Sequence, residues 1–427
     1  MASGLTDGSR RQPSAKKVLI LGGGFGGTYV LRTLVPALKP DDNVETTIVN
    51  DENFFLFLPL LHEVATGAIE PRHIAYPIRR FRFRNHFKFV QAVIEKIDLA
   101  GRKVSTSAGT LDFDYLILSL GSIPDMPGLY SARQSLFTLK SLEDARRLKN
   151  HIIDVFERAS VTSDPEQQKR LLTFVVSGGG YIGVQLVSAL RDFILIDLAR
   201  LYNTIDRNLI KIVLVEAESK IIPRLHTNLG AYIMKQIKRM GIDVRLKSRV
   251  THVFDDHIEI NHSETMPAST VIWVPGVVTN PLVATVDAQK DSAGRIFVNE
   301  YLEVPGFPGA YAVGDCAHFI DPKSGQPIIS NAHTGVRQAK VAARNILADI
   351  RRKQKRPYIY SSPFEVISVG SSKAVFSFNN LRLYGFGARL LWMGGYSLLV
   401  TKTYNQIRVV TDWLLSLVFG RDTIFLR

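Results

Sequence analysis

The sequence predicts an α/β fold of two strand-turn-helix halves followed by an amphipathic helical region. Two glycine signatures and a change of texture near Lys353 carry that reading. Val18-Leu19-Ile20-Leu21 leads into Gly22-Gly23-Gly24-Phe25-Gly26-Gly27, and Phe174-Val175-Val176-Ser177 leads into Gly178-Gly179-Gly180-Tyr181-Ile182-Gly183. In a G-x-G-x-x-G spacing, glycine serves a sharp turn, a close approach of backbone to pyrophosphate, and tight packing of helix on sheet. The helix N-terminus then meets the negative charge. Two copies predict two Rossmann-like dinucleotide-binding domains and a chain that passes electrons between bound cofactors.

Residues 1–16 are polar and small, with no apolar stretch of the kind a signal peptide needs, and read as a disordered tail. The first helix carries its apolar side on Val30, Leu31 and Leu34. The next strand, Thr46-Thr47-Ile48-Val49, ends at Asn50, with Asp51 beside it; either side chain can bond a ribose. Arg79, Arg80, Arg82 and Arg84 alternate with Phe81 and Phe83, which reads as a half-exposed strand with solvated arginines. No nucleic-acid fold signature accompanies them, so nucleic acid is not expected as a partner. The runs ending at Gly121 and Gly276 mark where the chain leaves the first domain and returns to it.

The second half repeats the plan, with Leu186, Val187 and Leu190 on its helix. A longer connection through 198–209 leads to Lys211-Ile212-Val213-Leu214-Val215 and then Glu216. An acid at that strand end accepts from a ribose 2′-hydroxyl and repels a 2′-phosphate, so this half should prefer NADH to NADPH. Further on, the buried strand 310–313 closes on Gly314-Asp315, where a carboxylate can accept a sugar-alcohol hydroxyl.

At 427 residues the chain exceeds the usual size of a single core. Its formal charge of +14 favours an anionic partner without choosing among dinucleotide, membrane surface and nucleic acid. Cys316 is the only cysteine, which excludes an internal disulfide, a redox cysteine pair and a cysteine-rich metal site. No metal site is expected. The stretches 388–400 and 407–419 are apolar at roughly helical spacing but shorter than the roughly 20 residues that span a bilayer. They read either as helices lying in a membrane interface, anchored by Trp392, Trp413, Lys402 and Arg408, or as a helical hairpin packed on the core or between two copies.

The order of these motifs, with Phe57-Leu58-Pro59-Leu60-Leu61-His62-Glu63-Val64-Ala65-Thr66-Gly67 between them, resembles the type II NADH dehydrogenases. These are single-chain flavoproteins of the membrane surface with two dinucleotide-binding domains. The resemblance implies an FAD domain at 17–121 and 276–350, an NADH domain at 122–275 and a membrane-docking region at 351–427. It matches Gly22, Gly24, Gly27 and Asp315 to FAD, with Phe25, Gly26, Asn50, Asp51 and Gly121 completing the candidate set. It matches Gly178, Gly180, Gly183 and Glu216 to NADH, with Tyr181, Ile182 and Gly276 beside them.

Three departures touch the acceptor side. Gln185 stands where the family usually has a glutamate, and an amide cannot relay a proton as a carboxylate does. The family's Ala-Gln-x-Ala-x-Gln pattern reads Ala332-His333-Thr334-Gly335-Val336-Arg337, and its Asp-Lys-Gly is replaced by Ser361-Ser362-Pro363-Phe364. Gln185 and His333 are the catalytic candidates, and Ala332, His333, Gly335 and Arg337 the quinone candidates. His333 either donates to a quinone carbonyl or is a structural histidine at a helix start.

The expected reaction is hydride transfer from NADH to FAD, then of two electrons to a membrane quinone, without proton pumping. It would take place at the cytoplasmic face of the cell membrane, in a peripheral homodimer bound to the lipid surface. A reductase serving a ferredoxin-like carrier and an NADH-responsive sensor or scaffold are the alternatives. A sulfide:quinone oxidoreductase would need the cysteine pair that is missing.

Overall fold

A computed structural model describes residues 14–126, 135–361, 364–379 and 381–425. The described chain forms two compact units: Met1–Phe55, Pro77–Gly121 and Thr279–Tyr360 make one, and Leu56–Tyr76, Ser122–Val278 and Ser361–Arg427 the other. The excursion Leu56–Tyr76 and the C-terminal region from Ser361 thus pack with the second unit.

The first unit is centred on a five-stranded parallel sheet in the order Ala310–Ala312, Tyr115–Leu118, Lys16–Leu21, Val44–Asn50, Lys88–Gln91. A parallel sheet is covered on both faces, which is why its inner strands are near-continuous runs of Val, Ile and Leu. Ile20 pairs with Ile48 on one side and Ile117 on the other, and all three are fully buried. The helix Phe25–Leu34 buries Val30, Leu31 and Leu34 and packs against the helix Ala332–Ile350. Lys16 already belongs to the first strand, so the predicted tail ends earlier; its residues 1–13 lie outside the described chain.

The second unit repeats the arrangement: Leu136–Phe137, Thr270–Trp273, Thr173–Ser177, Lys211–Val215, Asp243–Arg245, all parallel. In both sheets the strand feeding the glycine turn sits in the middle. The long connection has a local cause: the helix Tyr181–Asp192 runs on into a π-helical turn, Phe193–Leu198. An antiparallel meander, Val250–Val253, His257–Ile260 and Glu264–Pro267, packs Val250, Val253, Ile258, Ile260 and Met266 into this unit's core.

Three expectations are corrected. The arginine-phenylalanine alternation is not a strand, because a single 3-10 turn, Ile78–Arg80, is followed by chain without a ladder partner until Lys88. Phe81 and Phe83 stack with ring centroids 6.0 Å apart, and Asn85 holds the segment by donating to the carbonyls of Val35 and Leu38. A three-stranded antiparallel sheet, Phe364–Val369, Lys373–Phe378 and Leu381–Gly385, precedes the C-terminal helices where only a membrane-docking region was expected. Third, Trp392 and Trp413 are not surface anchors: they are 0% and 2% exposed and lie with ring centroids 5.6 Å apart where the helices Phe386–Leu399 and Thr403–Phe419 meet. Indole volume fills that crossing and leaves the smaller apolar residues outside.

The same helix buries Arg389, whose Nη2 donates to Glu63 at 2.9 Å from the excursion helix Leu61–Ala65. No helix among the described residues is long and apolar enough to cross a membrane.

Burial holds His62 and His151 neutral, lowering each to about 4 from an ordinary 6.5. The unfolded chain protonates both near pH 6.5 and the native chain only near 4, so their stabilising contribution is complete above 6.5 and is lost as pH falls towards 4. Thermal unfolding followed by circular dichroism should give a Tm that falls through this window, with a shallower fall in His62→Asn.

Candidate functional site

Backbone contacts dictate the first and third glycines of each turn. Gly22 has φ +98°, its N–H donates to Val49 O, and a Cβ there would lie 2.4 Å from Ser119 O. Gly178 has φ +107°, its N–H donates to Val215 O, and a Cβ would lie 2.5 Å from Pro275 Cα. A Cβ on Gly27 would meet Gly22 O at 1.9 Å, and one on Gly183 would meet Gly178 O at 1.8 Å. The middle glycines differ: a Cβ on Gly24 or Gly180 would meet no protein atom within 4 Å. Nothing among the described residues requires glycine at these positions.

Both middle glycines are helix N-caps with no side-chain capping bond, and neither helix has an acid in its first turn. Uncapped N–H groups, a positive helix end and open space above a glycine fit a pyrophosphate. Phe25 sets its ring edge-on to Phe55 at 5.1 Å, and a Cβ on Gly26 would press on Ser119 and Val313. Tyr181 donates its hydroxyl to Glu365 at 2.9 Å, and Ile182 beside it is exposed.

The two strand ends match. Gly23 N–H donates to Asn50 Oδ1 at 2.7 Å, and Gly179 N–H donates to Glu216 Oε2 at 2.5 Å. Asn50 therefore occupies in the first unit the position of Glu216 in the second. Asp51 does not; it is exposed and accepts from Glu52 N–H.

Elsewhere in the first unit, Asp315 lies in the single turn Gly314–Cys316, whose Gly314 N–H donates to Gln338 Oε1 at 2.7 Å. Gly335 packs against the same turn, 3.6 Å from Gly314 Cα to its notional Cβ, so the helix start bearing Ala332, His333 and Arg337 lies beside Asp315. Asn331 caps this helix by accepting from Thr334 N–H at 2.8 Å. Burial, with Arg337 and Lys340 adding to it, lowers the His333 pKa and favours a neutral ring. Arg337 donates to Ile359 O. Gly121 has φ +71° and its carbonyl accepts from Asn280 N–H. Burial, then Asp315, push the Cys316 thiol up to about 12, so it is a packed thiol and not a nucleophile.

Gln185 belongs to the second unit and His333 to the first. Its Oε1 accepts from Ser368 N–H at 3.3 Å and from Ser368 Oγ at 3.2 Å, and that hydroxyl lies 3.4 Å from His62 Nε2. Burial pushes the Glu63 carboxyl up, but the Arg389 and Arg421 guanidinium groups outweigh it and hold it below the usual range. Gly276, three residues past the strand Thr270–Trp273 that flanks the central strand, is exposed, and its carbonyl accepts from Asp125 N–H. Sequence reasoning missed Gln338, Ser368 and His62 as partners of the site. His62 lay within a quoted motif and Gln338 was a lone amide on an apolar helix side, whereas Ser368 carried no signal.

Residues 16–340 match the family described as pyridine nucleotide-disulphide oxidoreductase. The chain belongs to this family. At 31% identity, 97% of it aligns with 93% of a probable NADH dehydrogenase of Dictyostelium discoideum. At 27% identity, 84% of it aligns with 89% of the type II NADH:quinone oxidoreductase of Staphylococcus aureus strain NCTC 8325. Its fold is that of NDH2 from Plasmodium falciparum, with a TM-score of 0.88 at 18% identity over 96% of this chain and 99% of the other. The two-sheet α/β architecture expected from the glycine signatures is thus the family's own. With one cysteine, the family member described here has no pair for disulphide chemistry.

The contact pattern separates the glycines by experiment. Gly180→Ala and Gly24→Ala should fold with near-native Tm yet lose about tenfold or more in dinucleotide affinity, read by fluorescence titration. Gly183→Ala and Gly27→Ala should fail to give soluble folded protein.

Proposed function

We propose that this oxidoreductase takes hydride from NADH onto FAD and passes two electrons to a membrane quinone, without pumping protons. The observation that carries the two-cofactor reading is the pair of open middle glycines above uncapped helix ends. The relatives named NADH dehydrogenase and NADH:quinone oxidoreductase support the donor and the acceptor class.

In the first unit the turn Gly22, Gly24 and Gly27 would hold the FAD pyrophosphate, with Phe25 and Gly26 at its rim. Asn50 would bond the ribose, and Asp315 would accept a hydroxyl of the sugar-alcohol chain. In the second unit Gly178, Gly180 and Gly183, flanked by Tyr181 and Ile182, would hold the NADH pyrophosphate. Glu216 would accept from the ribose 2′-hydroxyl while repelling a 2′-phosphate. FAD, when bound, supplies the two-electron chemistry that links donor to quinone.

The chain's own residues supply binding and polarity at the acceptor side. A neutral His333 can donate one ring N–H to a quinone carbonyl, with Ala332, Gly335 and Arg337 around it. Gln185 can donate through its amide NH2, because its oxygen is already held by Ser368. Neither side chain is charged, so the polarity they offer changes little with pH near neutrality.

The exposed sides of the last two helices favour a lipid-soluble acceptor over an acidic carrier protein. Leu398, Val418 and Phe419 are 76%, 73% and 82% exposed, and Leu390, Ile407, Leu414 and Leu417 are exposed with them. Apolar surface on this scale suits a membrane interface at the cytoplasmic side, with basic charge helping adsorption. A homodimer formed through the C-terminal region is part of the same proposal.

Anaerobic addition of stoichiometric NADH to the purified protein should bleach the flavin spectrum, and a short-chain quinone should restore it. Bleaching without recovery would refute the quinone. Absence of a flavin spectrum after adding FAD would refute the whole reading. In the same assay Glu216→Gln should raise the NADPH to NADH ratio of kcat/KM by about tenfold, a change of about 1.4 kcal/mol in discrimination.

Truncation after Gly387 would remove buried Trp392 and Trp413 as well as the exposed leucines, so point changes test docking better. Replacing Leu398, Leu414 and Val418 with Gln should leave flavin content unchanged and abolish co-sedimentation with vesicles of anionic phospholipid.

A further inference from the structure

The antiparallel meander of the second unit gathers ligand chemistry that none of the reactions above uses. His252 and Glu259 face each other across its first two strands, with Nδ1 and Oε2 3.0 Å apart. The turn into the third strand puts two consecutive non-glycine residues in the left-handed region, Asn261 at φ 53° and His262 at φ 58°. Such residues are uncommon there and need outside support. Asn261 N–H donates to Arg249 O at 2.9 Å, Arg249 N–H donates to Asn261 Oδ1 at 2.8 Å, and His262 N–H donates to Thr251 Oγ1 at 3.2 Å. These bonds fold the turn back over the first strand. They set the His262 ring against the His252 ring, edge to face, with centroids 5.5 Å apart.

One ligand atom from each of His252, Glu259 and His262 lies within 4.8 Å of the other two. The opposite face of the meander is locked into the core through Val250, Val253, Ile258 and Ile260. The three ligands therefore stand on a backbone that does not have to move to bind.

We propose that His252, Glu259 and His262 form a surface site for a divalent transition-metal ion, with zinc as its test ligand. Two imidazoles and one carboxylate suit zinc and its neighbours, whereas calcium and magnesium prefer sites made wholly of oxygen. Zinc bonds of about 2.0–2.2 Å in tetrahedral geometry put neighbouring ligand atoms about 3.3 Å apart. The His252 to Glu259 distance is already near that, and rotation of the exposed His262 side chain closes the remainder. The fourth position is left to water. The ion staples two strands and the next turn, and the site is independent of whichever dinucleotides the chain holds.

Calorimetric titration of untagged full-length protein with zinc chloride, in a non-chelating buffer, tests the site. The expected result is one saturable zinc per chain, a Tm that rises with zinc, and no saturable heat with calcium or magnesium. His252→Ala and His262→Ala should each weaken binding by about tenfold or more and remove the Tm rise. His257→Ala, on the same meander but outside the trio, should keep both. Circular dichroism establishes that each variant is folded, which the exposed positions of His252 and His262 and the half-buried one of His257 should permit. Absence of saturable zinc binding, or binding unchanged in the His252, His262 double variant, would overturn the proposal.

Discussion

Everything in the two nucleotide turns depends on one steric constraint, the contact between the third glycine of each signature and the carbonyl of the first. At 1.9 Å and 1.8 Å the notional Cβ positions of Gly27 and Gly183 lie far inside contact distance of the carbonyl oxygens of Gly22 and Gly178. A helix that comes this close to its strand must leave the strand by a left-handed turn, which is why Gly22 and Gly178 carry positive φ. Once the helix starts there, its first N–H groups are aimed across the middle glycine, and the strand-end side chain at 50 or 216 is within reach of the turn's backbone. Packing thus creates the polar geometry, and the glycine proposed to face the ligand is the one that packing leaves alone.

A second constraint ties the C-terminal helices to the second unit. Arg389 and Glu63 are both nearly fully buried, and the guanidinium lies over the Trp392 ring at 4.2 Å while its Nε and Nη1 have no hydrogen-bond partner among the described residues. Burying two charges gains little net stability, but removing one partner costs about 3–5 kcal/mol. The pair therefore acts mainly by exclusion: it fixes which face of the helix Phe386–Leu399 turns inward. With Arg389 and Trp392 inside, Leu390, Leu391 and Leu398 must face outward. The apolar exterior follows from a polar interaction in the interior.

This reversal limits what the sequence could convey. Both parallel sheets were legible because continuous Val, Ile and Leu runs ending in glycine have few other uses. Helical texture was legible at 388–400 and 407–419, yet the sequence left the tryptophans open between a membrane interface and a packed hairpin, since indole suits both equally. The antiparallel sheet at Phe364–Gly385 was missed because pairing depends on neighbours that no local pattern reveals. The alternation at Arg79–Arg84 correctly indicated half-burial but not the absence of a ladder. Within the site, Asn50 could not be separated from Asp51 until the bond to Gly23 distinguished them.

The two halves, alike in backbone, differ in the charge of one side chain. Glu216 accepts from Gly179 N–H with one oxygen and from Glu218 N–H with the other, so its carboxylate is oriented from two directions at the strand end. Asn50 makes the same bond to Gly23 with a neutral amide, and its Nδ2 donates to Glu52 O. An anion there discriminates strongly against a phosphate on the ribose, while an amide tolerates either form. Selectivity of that kind matters for a dinucleotide that comes and goes and little for one that stays bound. An acid at the strand end of the second unit and an amide at that of the first are thus what the proposal of NADH in the second unit and flavin in the first requires.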